Sequence, residues 1–185
     1  MDLINEIVHP DGKYAAEGYY EQVTRRGVLE HTAEAISRAR TLGIPVVYVV
    51  VGFSPDFSEW PPGSPVFAAA RDDNRVVLGT WATEVHDSLK PLDGEPVLAK
   101  HRISPFYGTE LEELLRGYGV DTLLLAGITT DLVVLSTARE AHDRDYHVEV
   151  LEECTATIDE ELHAAAIKVI ARSATISSVE RSLPL

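Results

Sequence analysis

The chain has 185 residues, 45% of them hydrophobic, and a formal net charge of -14 from 16 basic and 30 acidic side chains. That length suffices for one domain, residues 1–185, with a full core, while the acidic excess argues against nucleic acid, whose phosphates demand clustered Lys and Arg, and against an anionic membrane surface. Cys154 stands alone, which excludes an internal disulfide or a cysteine-based metal cluster; with no apolar run of bilayer length and no signal peptide, a cytoplasmic protein is expected.

The opening, Met1 to Gly12, reads as the tail of an apolar strand passing into a loop, and residues 13–25 hold several Tyr and Glu without a clear period. From Arg26 to Leu42 the positions Val28, Leu29, Ala33, Ile36 and Ala39 fit a helix that Gly43 closes. Ile44 to Val51 is rich in β-branched residues and predicts a buried strand, with Pro45 tolerated at its start. Residues 52–75 carry four prolines with Phe53, Phe57, Trp60 and Phe67. Such a loop either walls an apolar pocket or covers a sheet edge, and both readings stand.

Val76 to Val85 predicts extended structure leading into a short helix near His86 to Leu89. Pro96 to Lys100 is a short strand, followed by the polar segment His101 to Gly108. Thr109 caps a helix through Tyr118, whose apolar stripe is Leu111, Leu114 and Leu115 and whose stop is Gly119. Thr122 to Ala126 is an apolar run of the kind found in a parallel strand covered on both faces, ended by Gly127. A helix capped by Asp131 then runs to about residue 144. Strand 147–151, helix 159–172 and strand 174–178 complete the chain, without internal repeat or linker. The alternation implies an α/β fold: a doubly wound parallel sheet with helices on both faces.

In such a sheet, ligands bind beyond the carboxyl ends of the strands. Asp2, Lys100 and the backbone turn Ile128 to Val133 map there. A carboxylate beside an ammonium in a desolvated cleft can exchange a proton with a bound molecule, and free N–H groups at a helix start can hold an oxyanion. The bland alternatives are a surface ion pair and an ordinary strand-to-helix corner.

Three ordered motifs then carry a resemblance. Gly127-Ile-Thr-Thr-Asp-Leu-Val-Val-Leu-Ser-Thr-Ala-Arg-Glu-Ala, continued by Arg144-Asp-Tyr and Glu152-Glu-Cys-Thr-Ala, resembles the signature of the isochorismatase-like hydrolases, the cysteine hydrolase superfamily. Asp2-Leu-Ile-Asn-Glu-Ile resembles its aspartate motif, and Lys100-His-Arg-Ile-Ser-Pro-Phe-Tyr-Gly-Thr-Glu-Leu its lysine motif.

The resemblance implies a Rossmann-like sheet of about six parallel strands and an Asp, Lys, Cys triad. Asp2 and Lys100 match the first two, but the nucleophile column falls on Val133. A valine side chain offers neither thiolate nor hydroxyl, so the covalent thioester route is closed. The family's non-proline cis peptide would fall at Ile128–Thr129, and its oxyanion hole would use the N–H groups of Thr129 and Val133. Its isochorismatase branch lacks the cysteine too, carrying glycine there. In that branch the aspartate protonates an enol-ether carbon and water completes hydrolysis. Val133 departs from that branch as well, and its bulk would narrow the pocket.

Cys154, after the next strand, reads as a buried structural thiol. His9, His86 and His101 are candidate metal ligands, but the family's Asp-x-His zinc motif is absent from Val51 to Phe57, so neither metal nor cofactor is expected. Only Met1 precedes Asp2, which predicts a first strand truncated at the N-terminus: either an upstream segment is absent from this sequence or the sheet is repaired otherwise.

The expectation is therefore a hydrolase acting without a cysteine on a small molecule, at a C–N or enol-ether bond. Asp2 is its acid or base, Lys100 keeps it charged and oriented, and Phe53, Trp81 and Tyr107 shape the pocket. The alternative is a catalytically silent member that binds a metabolite or serves assembly. The resemblance also implies a homodimer or larger homo-oligomer.

Overall fold

In the computed structural model, which describes residues 1–185, the strands form two separate parallel sheets. Strand β1 (Tyr48–Val51) pairs with β2 (Val97–Lys100), in register from Tyr48 opposite Val97 to Val51 opposite Lys100. Strand β3 (Thr122–Ile128) pairs with β4 (His147–Ala156), and β4 with β5 (Thr175–Ser177). The parallel α/β character stands. The expected sheet of about six strands is corrected to five strands in two sheets, β1-β2 and β3-β4-β5.

The reason lies at the amino end. Met1 and Asp2 span the gap between the sheets: the Met1 amine donates to Ala126 O at 2.9 Å, Ile128 N–H to Met1 O at 3.1 Å, and Asp2 N–H to Val49 O at 2.8 Å. These two residues make the only rungs there, so no first strand forms. Beyond them the chain turns into a short helix, α1 (Asn5–Val8), instead of a loop.

The tyrosine-rich stretch without a period is also helical, as α2 (Tyr19–Arg25). It leads through Gly27 into α3 (Val28–Thr41), which buries Val28, Thr32, Ala35 and Ala39 along one face. Strand β1 begins at Tyr48 and not Ile44, because β2 starts only at Val97 and leaves residues 44–47 without a partner. After β1 come α4 (Ala68–Asp72) and two 3-10 turns, Trp81–Thr83 and Asp87–Leu89. Helix α5 (Leu111–Tyr118) buries Leu111 and Leu115, and Thr109 Oγ1 accepts from Leu111 N–H at 3.2 Å.

After β3, a π turn (Thr130–Val134) leads into α6 (Leu135–His142). Strand β4 runs past its predicted end through Glu152 and Glu153 to Ala156, and Glu153 accepts from Val179 N–H at 2.7 Å at the start of α8 (Val179–Ser182). Helix α7 (Glu160–Ile170) starts under the carboxylate of Asp159, which accepts from Leu162 N–H at 2.7 Å. The largest core cluster joins Leu125 of β3 and Val148 and Val150 of β4 to Ala138 and Ala141 of α6 and Ile170 of α7. Each large aliphatic side chain buried there contributes about 1.5–3 kcal/mol. That packing fixes the β3-to-α6 corner.

Candidate active site

At that corner the main chain makes its closest approach to the amino end. Gly127 has φ 138°, and a Cβ on it would lie 2.1 Å from Met1 O. Only glycine fits both the conformation and the space. Asp2 itself has φ 56°, an uncommon value for a residue with a Cβ, and its place between β1 and β3 holds it there.

The structure brings Asp2 and Lys100 together. Lys100 Nζ lies 2.7 Å from Asp2 Oδ2 and donates to Arg102 O at 3.0 Å, and the two side chains are 2% exposed for Asp2 and 1% for Lys100. Away from water, the pair is held by mutual attraction and loses much more than a surface pair if either partner goes. Asp2 Oδ1 is buried and has no hydrogen-bond partner. One carboxylate oxygen is thus fixed by the ammonium and the other is free to engage a bound molecule.

The two side chains line a cavity of about 70 Å³ together with Ile128, Thr129, Leu132 and Val133 from the turn. The Ile128–Thr129 peptide bond is cis. Thr129, not Asp131, caps the helix: its Oγ1 accepts from Leu132 N–H at 3.3 Å and its carbonyl from Val134 N–H at 3.0 Å, with Val133 between them. Asp131 instead accepts from Thr157 Oγ1 at 2.6 Å, and Thr130 Oγ1 meets His163 Nδ1 at 2.9 Å. Burial, with help from Arg26, holds the His163 imidazole below its ordinary pKa. These bonds anchor the turn from behind.

The remaining walls differ from those expected. Tyr14, Tyr19, Phe67, Val76 and Ile103 line the cavity. Burial pushes the Tyr19 hydroxyl up to about 12, so it stays a neutral hydrogen-bonding group. Phe53, Trp81 and Tyr107 do not line it. Phe53 is fully buried, edge-on to Phe67 at 5.4 Å and stacked on His101 at 6.2 Å, one layer behind the wall. Trp81 is 44% exposed against His9, and Tyr107 is 65% exposed. Both readings of loop 52–75 therefore hold in part, since Phe67 walls the pocket while Phe53 and Phe57 pack beside the sheet. Tyr14 and Tyr19 went unread because their stretch shows no apolar period.

Cys154 lies elsewhere, buried between β4 and α3 with Ala35, Ala39 and Leu151, and burial pushes its thiol up to about 12. His101 Nδ1 is engaged by Gly52 O at 2.6 Å, while the His9 and His86 rings lie 6.0 Å apart, tilted by 40°. No helix is long and apolar enough to cross a membrane.

Known proteins share sequence and fold with this chain. The family model described as isochorismatase domain matches residues 1–181. A ureidoacrylate amidohydrolase RutB from Methylorubrum extorquens is 35% identical over 167 residues, 80% of this chain and 67% of that protein. Among solved structures, an isochorismatase family protein from Desulfovibrio vulgaris subsp. vulgaris str. Hildenborough superimposes with a TM-score of 0.85 at 30% identity, over 96% of this chain and 90% of the other. An N-carbamoylsarcosine amidase from Thermoplasma acidophilum does so with a TM-score of 0.74 at 31% identity, over 97% and 94%.

Proposed function

The chain belongs to the isochorismatase family, and from that premise we propose that it hydrolyses a small, partly apolar molecule at a C–N or enol-ether bond, by acid–base chemistry at Asp2 with water as the nucleophile. The observation that carries this reading is the buried Asp2–Lys100 pair with one carboxylate oxygen unoccupied. The similarity to two proteins named as amide-bond hydrolases favours a C–N bond. The apolar side chain of Val133, at the nucleophile column, favours water over a covalent intermediate.

On a C–N substrate, the Asp2 carboxylate takes a proton from water while the oxygen of that water adds to the carbonyl carbon. The carbonyl oxygen gains the negative charge, and the N–H groups of Thr129 and Val133 stabilise it. Collapse of the adduct breaks the C–N bond, and the proton held by Asp2 passes to the leaving nitrogen. On an enol ether, a protonated Asp2 instead delivers its proton to carbon; water adds to the resulting cation and gives a proton back to Asp2, and the hemiketal so formed collapses to a carbonyl as its ether C–O bond breaks and the alcohol leaves with the hydroxyl proton. Lys100 orients the Asp2 side chain in both cases and balances its charge whenever it is ionised.

Val133 also favours a second reading, a catalytically silent member that binds a small metabolite or serves assembly. A screen of amides, ureas and enol ethers separates the two. Turnover by the native chain that drops roughly 10²–10⁴-fold in Asp2→Asn, counted per folded molecule by circular dichroism, supports the hydrolase. Turnover unaffected by that substitution overturns the role of Asp2, and ligand binding without any turnover favours the silent binder.

A further inference from the structure

Among the residues lining the cavity of about 70 Å³, Asp2 and Lys100 alone carry full charges, and these cancel. The other two ionisable side chains, Tyr14 and Tyr19, stay neutral, because burial raises both phenols. No cation is left to receive a bound anion. The Lys100 ammonium is occupied by Asp2 Oδ2 and by Arg102 O. The Arg102 guanidinium donates to Glu59 O at 2.8 Å and to His101 O at 2.6 Å. Arg75 lies over the Tyr14 ring at 4.5 Å and is held by ion pairs to Glu17 and, at 2.8 Å, to Asp73. Arg26, behind the turn, donates to Thr155 O at 3.1 Å and pairs with Glu160 at 3.1 Å. The main-chain donors of the turn serve the reacting carbonyl oxygen in the reading above. What a ligand does meet is the buried, unpartnered Asp2 Oδ1. A carboxylate placed here would lose its water, face a like charge and find no counter-ion.

We propose that the molecule this site takes is an uncharged primary amide or urea bearing a hydrocarbon group, and that the site discriminates against carboxylic acids of the same shape. The inference rests on the reading of Asp2 as the proton-transfer group and narrows the bond to C–N. An amide NH₂ donates to Asp2 Oδ1, which satisfies that oxygen and puts the leaving nitrogen where the proton returns. An enol ether has no N–H to donate. The hydrocarbon part meets Phe67, Val76, Ile103 and the rings of Tyr14 and Tyr19, whose carbon gains from being covered. The same rule clears the site after reaction. Hydrolysis of a primary amide by water yields ammonia and a carboxylic acid, and the acid, once ionised, lies against Asp2 without a counter-ion and leaves.

The test uses two pairs of compounds, isovaleramide against malonamate and isobutylurea against N-carbamoylglycine, in which an isopropyl group replaces a carboxylate. Calorimetry on the native chain gives the neutral member of each pair an affinity ~100-fold or more above that of the acid. Isovalerate, the product of the first amide, competes as weakly as malonamate. Acids that bind as well as their neutral partners overturn the proposal, and the catalytic reading survives that result if turnover of the acids still falls in Asp2→Asn. Neutral members that bind with the expected preference and are never hydrolysed uphold the selectivity and sink the hydrolase instead. Binding of none of the four overturns the proposal. Val66, 36% exposed at the edge of the cavity, supplies the second arm. Val66→Arg sets a guanidinium there, and the preference for the neutral member falls by ~10-fold or more in both pairs. An undiminished preference in that variant, at native Tm, shows that charge does not set the selectivity and also overturns it.

Discussion

The two cavities share Asp2 and little else. The small one sets a buried ion pair, an unpartnered carboxylate oxygen and a helix start beside Tyr14, Tyr19 and Phe67, whereas the large one, a slot of about 220 Å³ between β1 and β3, sets mostly apolar side chains around the same residue. Volume alone would direct attention to the slot. Chemistry directs it to the smaller space, because only there does a titratable group meet its partner away from water. The difference teaches that the volume of a cavity and the chemistry it offers are separate properties.

The largest effect follows from removing one charge of the pair. Lys100→Met leaves Asp2 buried without its counter-charge and lowers stability by about 3–5 kcal/mol, read from the urea midpoint. A loss below ~1 kcal/mol would mean that water reaches the pair.

Adding carbon should have opposite signs in the two cavities. Ala39→Leu fills part of the slot and stabilises by ~1–2 kcal/mol, while Val133→Phe overfills the small cavity and destabilises by ~1–3 kcal/mol. Equal signs would erase the distinction.

A smaller effect concerns the turn. The buried His163 has a pKa lowered from 6.5, so the unfolded chain binds the proton more readily than the folded one. Stability therefore falls as pH drops below about 6.5, and His163→Gln flattens that dependence in thermal melts. The smallest expected effect is at Cys154, whose thiol is pushed up to about 12. Native protein at pH 8 should resist alkylation and denatured protein should not, and Cys154→Ala should leave turnover unchanged.

Much of this molecule was legible in advance, for identifiable reasons. Helix α3 announces itself because Val28 and Ala39 lie on one helical face and Gly43 stops it, and β3 because Leu123 to Ala126 is unbroken carbon. Helix α2 did not, since its seven residues bury only Gln22 and Val23 and leave no stripe to read. Asp131 and Thr129 both suit a cap, and only the position of Thr157 decides that the aspartate is engaged elsewhere. Trp81 and Tyr107 show the limit of composition. An aromatic ring promises contact area, but the path of the chain decides whether it faces the pocket or water. Asp2 and Lys100 were nominated by motif, yet they lie 98 positions apart, and no spacing rule predicts their 2.7 Å approach.

The most direct test of the central claim, that Asp2 and Lys100 act as one catalytic unit, is a double-mutant cycle on kcat/KM with Asp2→Asn, Lys100→Met and the pair combined. Groups acting as a unit give losses that do not add. Removing both charges together also avoids stranding either one, so the combined variant keeps near-native stability while remaining as inactive as Asp2→Asn alone. Losses that multiply across the cycle, or a combined variant that still turns over at the native rate, would contradict the account.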